Sequence, residues 1–323
     1  MIALRRLSYL ALAVAFAHVV FGAVVRITGS GMGCGDHWPK CHGQWMPPLD
    51  RPDLIIEITH RYLALVLLIA LVALAGVAWR RRAVPGVAGR GGVLRASATA
   101  LALWFAPAFL GAVTVWLGNT PLATVAHKVL ALSLLAVLAA TVVRTGGFGA
   151  AAPKGIDADP RTARSATVAA VLTLIVVGLG ALTAKFPGAT TACLGFPLCN
   201  GQLVPAGGAA HVQMAHRVMA FLLAFHVIGL TAGIFRRGTT GPVRQAAVAS
   251  LLLLMAQLAL AATMVLRLFP GSLRSAHQAV GVSIWVALFV LAYLARRGSR
   301  ATAPAPDEPR YAPEMTPARG AAS

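Results

Sequence analysis

Four histidines recur at matching places in the two halves of this 323-residue chain: His60 and His127, then His216 and His277. Each opens an apolar segment of helix length. An imidazole in hydrocarbon is expensive without a partner, and a single one is read most simply as satisfied by a neighbouring helix. Two pairs at symmetric positions point instead to two buried two-histidine sites. Haem iron takes axial imidazoles of this kind inside helix bundles. Zinc wants four protein ligands, or three and a water, and neither half offers a third and fourth. The other histidines lack the pattern: His18 and His226 fall mid-span without counterparts, and His37, His42 and His211 fall in outside loops.

A second signal lies three residues before the first histidine of each pair. Glu57-Ile58-Thr59-His60 in the first half matches Gln213-Met214-Ala215-His216 in the second. Residues at i and i+3 share one face of a helix, so Glu57 belongs beside the first histidine site and Gln213 beside the second. A carboxylate can move protons or stabilise developing positive charge, and an amide of the same shape can do neither. The first half therefore reads as a reaction site and the second as a fixed cofactor site. The plainer alternative is a glutamate that complements the dipole at the start of a helix. Arg61, Lys128 and Arg217 directly follow three of the histidines, and Arg274 lies three residues before the fourth. They are candidate partners for the anionic propionates of haem, or else snorkelling side chains at helix ends.

These residues need a scaffold, and the composition says which. The chain is 58% hydrophobic and 11% charged, with a mean hydropathy of +0.76. Those values belong to a polytopic membrane protein. Eight apolar spans are expected near residues 7–25, 61–79, 97–117, 126–143, 163–183, 214–235, 243–266 and 277–295. The net charge of +19 does not indicate nucleic acid, because most basic residues fall in alternate loops, as membrane topology requires. Arg80–Arg82, Arg144, Arg236, Arg237, Arg296 and Arg297 mark the inside, so both termini are expected in the cytoplasm and the cysteine loops outside. The first span resembles a signal peptide, with Arg5-Arg6, an apolar run and Ala15-Phe16-Ala17. It is read as a retained helix, because it has a counterpart in the second half.

The halves repeat each other. Gly22-Ala23-Val24-Val25 resembles Gly180-Ala181-Leu182-Thr183, and Cys41-His42-Gly43-Gln44 resembles Cys199-Asn200-Gly201-Gln202. Four spans return the chain to its starting side, so the copies run parallel rather than inverted. The fold class expected is all-α integral membrane: eight transmembrane helices as two pseudo-symmetric four-helix bundles in parallel repeat. Residues 1–145 form the first bundle and 161–297 the second. Residues 146–160 are a cytoplasmic linker, and 298–323 a disordered cytoplasmic tail rich in Ala, Pro and Arg. All four cysteines lie in outside loops, where Cys34 with Cys41 and Cys193 with Cys199 could each close a small ring. Such rings serve as staples, or the first pair, beside Glu57, serves in redox chemistry or haem handover.

Taken together, Glu57-x-x-His60, His127, His216, His277, the two cysteine pairs and the glycine-rich stretch Thr28-Gly29-Ser30-Gly31-Met32-Gly33-Cys34 resemble the haem A synthase family of the bacterial kind, over about residues 8–296. The resemblance implies oxidation of the C8 methyl of haem O to a formyl group, giving haem A for terminal cytochrome oxidases. Two successive hydroxylations would give a geminal diol that loses water to the aldehyde. It also implies that His60 and His127 flank substrate haem O, that His216 and His277 ligate a resident haem b, and that Glu57 assists the oxidation. The first cysteine pair would matter more for function than the second. Haem O synthase is the implied supplier of substrate, with oxidase assembly factors and the lipid bilayer of the bacterial cell membrane as further partners. The oligomeric state is left open, a homo-oligomer included. A di-haem b-type electron-transfer cytochrome is the competing reading, and a haem transporter the third.

Overall fold

A computed structural model describes residues 1–151, 156 and 158–301. Eight helices account for most of it: α1 (Ile2–Ile27), α2 (Pro52–Arg80), α3 (Val93–Trp116), α4 (Pro121–Arg144), α5 (Pro160–Lys185), α6 (Gly208–Arg236), α7 (Gly241–Leu266) and α8 (Gly271–Ala301). Each is long and apolar enough to cross a membrane. Among the described residues there are no β-strands, only two isolated bridges in the cysteine-bearing loops. Helices satisfy every internal backbone group, which hydrocarbon demands. Prolines at the starts of α2, α4, α5 and α7 supply a helical φ where no N–H partner exists. Asp159 caps α5 by accepting the Arg161 N–H at 2.6 Å.

The helices begin earlier than the hydropathy suggested. α2 starts at Pro52 rather than near 61, so His60 lies eight residues inside it, and His216 lies eight residues inside α6. His127 and His277 each lie six residues inside α4 and α8. The histidines therefore sit about two turns within their helices rather than at the openings. Polar residues such as Asp53, Glu57 and Gln213 hide these first turns from an apolar pattern. At the other end, α8 runs to Ala301, past the start of the expected tail at 298. Residues 302–323 of that tail, and 152–155 and 157 of the expected linker, lie outside the described residues.

α1 packs on α2 and α4, and α3 on α2 and α4; α5 packs on α6 and α8, and α7 on α6 and α8. α4 also meets α5 and α8, and α1 meets α8. Half of the α4 and α8 spans is buried within the protein, against 17–39% for the other six, so these two are the inner helices. They pack on one another within a core that includes Leu132, Leu135, Leu288 and Leu291, and Trp285 donates its indole N–H to the Leu132 carbonyl at 3.0 Å. On the outer surface Leu65, Ile69, Phe105, Phe109, Leu222 and Phe225 are exposed, as suits helices facing lipid.

The loop between α1 and α2 and the loop between α5 and α6 repeat each other in detail. Cys34–Cys41 and Cys193–Cys199 are both disulfides. Each closes beside a two-residue turn, Cys41 pairing with Gln44 and Cys199 with Gln202. The central residues His42 and Gly43, like Asn200 and Gly201, all have positive φ. Such a turn needs glycine second and tolerates Asn or His first, which explains the recurring Gly-Gln dipeptide. His226, mid-span in α6, bonds the Ser165 carbonyl at 3.0 Å, a helix-to-helix contact of the ordinary kind.

Candidate functional site

Two of the cavities among the helices hold the expected histidines. The first, of about 620 Å³, is lined by His60, His127, Glu57, Arg61 and Lys128. The second, of about 180 Å³, is lined by His216, His277, Gln213, Arg217 and Arg274. The structure thus brings each expected pair of histidines into one cavity.

Glycines make room for two of them. A Cβ at Gly22 of α1 would lie 3.0 Å from His60 Nε2, and one at Gly180 of α5 would lie 2.9 Å from His216 Cε1. His127 Nδ1 sits 2.9 Å from the Pro107 carbonyl, and His216 Nδ1 sits 3.0 Å from the Val176 carbonyl. A carbonyl only accepts, so Nδ1 carries the proton and Nε2 keeps its lone pair. This is how protein ligands to metals are oriented. The His216 and His277 ring centres are 6.5 Å apart. Two imidazoles bound axially to one metal, at about 2 Å from each nitrogen, have ring centres separated by about 6 Å. The separation of the His216 and His277 rings is close to that value, and Gln257 Nε2 lies 3.3 Å from His277 Nε2. His277 Nδ1 is buried without a partner, and Gln257 Nε2 donates to the His277 carbonyl at 3.0 Å.

Glu57 and Gln213 are both buried and hold their loops in the same way. Cys34 N–H donates to Glu57 Oε2 at 2.8 Å, and Cys193 N–H donates to Gln213 Oε1 at 2.7 Å. Glu57 thus accepts from a loop rather than complementing its own helix start. Its other oxygen takes Arg61 Nη2 at 2.5 Å. The amide of Gln213 donates instead, to the Cys193 and Thr190 carbonyls. The shape of the site is conserved between halves and its charge is not.

Arg61 and Arg217, which line the two cavities, also hold the disulfide loops. Arg61 Nη1 donates to the carbonyls of His37, Pro39 and Lys40 at 2.8–3.0 Å. Arg217 Nη1 donates to those of Gly195, Pro197 and Leu198, and its Nη2 to that of Cys193. Arg61 Nη1, and both terminal nitrogens of Arg217, thus tie down the disulfide loops. The cations left for an anion are Lys128 and Arg274, joined by Arg26 at the end of α1 and Lys185 at the end of α5. Arg26 lines both cavities, Lys128 and Lys185 the first, and Arg274 the second. Arg26 lies within electrostatic reach of the other three. None of the four has an acidic partner: the ion pairs among the described residues are Asp36–His37, Arg51–Asp53 and Glu57–Arg61.

The family model for cytochrome oxidase assembly proteins of the COX15-CtaA type matches residues 5–289. The chain belongs to this family. Among curated relatives, the haem A synthase of Geobacillus kaustophilus is 30% identical over 292 residues, 90% of either chain. That of Symbiobacterium thermophilum is 31% identical over 303 residues, 90% of this chain and 95% of its own. That of Geobacillus thermodenitrificans is 30% identical over 254 residues, 76% of this chain and 77% of its own.

As a member of this family the chain is a multi-pass membrane protein. Several cavity residues escape a search for repeated motifs. Arg26 and Lys185 stand at the ends of matching helices but carry no chemical signature until α1 and α5 bring them together. Gly22 and Gly180 stand in the repeat, and only the packing shows that they face histidines. His18 also lines the first cavity, with its ring centre 4.3 Å from that of His60.

Proposed function

We propose that this chain is a haem A synthase that oxidises the C8 methyl of haem O to a formyl group for terminal cytochrome oxidases. The observation that carries the reading is the matched pair of histidine cavities differing in charge at one buried position, Glu57 against Gln213. In this reading residues 1–145 hold substrate haem O between His60 and His127. Residues 161–297 hold a resident haem b between His216 and His277. The larger first cavity suits a molecule that must enter and leave, and the smaller second cavity suits one that stays. Bound haem supplies the redox chemistry.

The protein's own residues do the rest. His127 and His216, fixed by backbone carbonyls, present Nε2 in a set direction. Glu57 keeps a carboxylate on the wall of the substrate cavity, locked by the Cys34 N–H and Arg61, so no reorganisation is needed when positive charge develops nearby. Two hydroxylations of the methyl carbon, then loss of water from the geminal diol, would complete the conversion, a four-electron oxidation overall whose oxidant is supplied from outside the chain. Arg26, Lys128, Lys185 and Arg274 offer charge to propionates at the junction of the cavities. The distribution of basic residues supports a topology with both termini in the cytoplasm and the disulfide loops outside the cell membrane. A haem O synthase is the natural supplier of substrate, and oxidase assembly factors are candidate recipients of the product.

The assignment of halves is tested by haem content. His216→Ala or His277→Ala should strip the resident haem, and His60→Ala or His127→Ala should leave it bound. Unchanged haem in both C-terminal variants would overturn the assignment.

A further inference from the structure

His18 lies one helical turn before Gly22 on α1, on the same face, and Gly22 is where α1 meets the His60 ring. The His18 and His60 rings are tilted 44° to one another at a centroid distance of 4.3 Å. His18 shares the cavity of His60 and His127, whose lining also includes the apolar Ala15, Val19, Gly22 and Leu67. Its Nε2 is buried and has no hydrogen-bond partner. A buried polar atom left unpaired in apolar surroundings calls for an explanation.

The repeat supplies one. Gly22 matches Gly180, so the place of His18 in the second half is taken by Val176. Val176 contributes only its backbone carbonyl, which accepts from His216. Around the first histidine of each pair the halves agree in Gly22/Gly180 and differ at Glu57/Gln213 and His18/Val176. Both differences add chemistry to the first cavity alone.

We infer that His18 is a third iron-directed imidazole of the N-terminal cavity, able to take the axial position of His60 when haem is bound there. This rests on the reading of that cavity as the substrate site. The exchange breaks one iron–imidazole bond and forms another. Both ligands are neutral, so no proton or electron is gained or lost. A site that releases its product must break its axial bonds in every cycle, and a second imidazole beside the first keeps the iron ligated while it does so. A resident haem has no such need, and Val176 stands there instead.

The test uses the full-length chain in detergent, loaded with ferric protoporphyrin IX, and reads coordination by electron paramagnetic resonance and resonance Raman. The C-terminal haem in the same sample reports an intact fold. His60→Ala should keep the N-terminal haem six-coordinate and low-spin, through His18 and His127. His60→Ala combined with His18→Val should turn that haem five-coordinate and high-spin, while the C-terminal haem stays low-spin. His18→Val alone, which copies Val176, should leave both haems low-spin. A high-spin N-terminal haem in His60→Ala already, or identical spectra for the single and double variants, would overturn the inference. A wild-type chain that loads only its C-terminal haem would instead overturn the reading of the N-terminal cavity, and the inference with it.

Discussion

Glu57→Gln is the substitution that the protein has already made in its own second half. Gln213 shows that an amide at this position accepts the cysteine N–H as a carboxylate does, at 2.7 Å against 2.8 Å. Arg217 shows that the neighbouring arginine is satisfied by loop carbonyls with no acid present. Removing one partner of a buried ion pair ordinarily costs about 3–5 kcal/mol, because the other charge is stranded. Here Arg61 keeps three carbonyl acceptors, so the expected cost is the difference of one charged hydrogen bond, about 1–2 kcal/mol. That corresponds to a fall in Tm of a few degrees at most. Catalysis should suffer far more. Loss of a preorganised charge at a reacting centre costs roughly 100- to 1,000-fold in kcat, or about 2.7–4 kcal/mol. Glu57→Ala should add a stability loss of about 1–3 kcal/mol, because the Cys34 N–H then goes unpaired. The assay compares thermal unfolding, resident haem content and turnover of haem O for wild type and both variants. Near-normal Tm and haem content with strongly reduced turnover in Glu57→Gln is the expected outcome. Turnover within threefold of wild type would remove Glu57 from the mechanism, and loss of the C-terminal haem would show that the halves are not independent in the way the geometry implies.

Other substitutions divide the two cavities. Gly22→Ala should displace His60 and weaken haem binding in the first half, and Gly180→Ala should do the same to His216 in the second; each variant's haem content, resolved by spectrum, checks this. Arg26→Gln should weaken both haem sites, whereas Lys185→Gln should affect only the first and Arg274→Gln only the second, measured by haem titration of each variant. Replacing Cys34 or Cys41 by Ser should impair turnover more than replacing Cys193 or Cys199, although opening either small ring should cost no more than about 3 kcal/mol of stability. Equal losses of turnover would reduce both pairs to staples.

Much of the site was legible because the chain states it twice. The histidine pairs, the Glu57/Gln213 difference and the cysteine pairs all emerge from aligning one half with the other, and hydropathy alone reveals eight helices. What repetition does not show is where a side chain points. Arg61 and Arg217 look like propionate partners because they follow histidines, yet their reach back to loop carbonyls depends on how the disulfide loops fold over α2 and α6. His18 was passed over for the opposite reason: its counterpart is Val176, and a search for matches discards what occurs once. Its spacing of four from Gly22 was the available signal, meaningful only when Gly22 is known to face His60. Helix starts were misplaced because a membrane helix extends past its apolar core to satisfy its backbone, and residues such as Asp53 and Glu57 conceal that extension.

The central claim is that this chain converts haem O, and the most direct measurement is of the haem itself. The chain would be co-expressed with a haem O synthase in a host that makes no haem A, and the extracted haems separated by chromatography and weighed by mass spectrometry. Formyl-bearing haem A, or its hydroxylated haem O precursor, is the expected result. Haem b alone, at two equivalents per chain with haem O unaltered, would contradict it and leave a di-haem electron carrier.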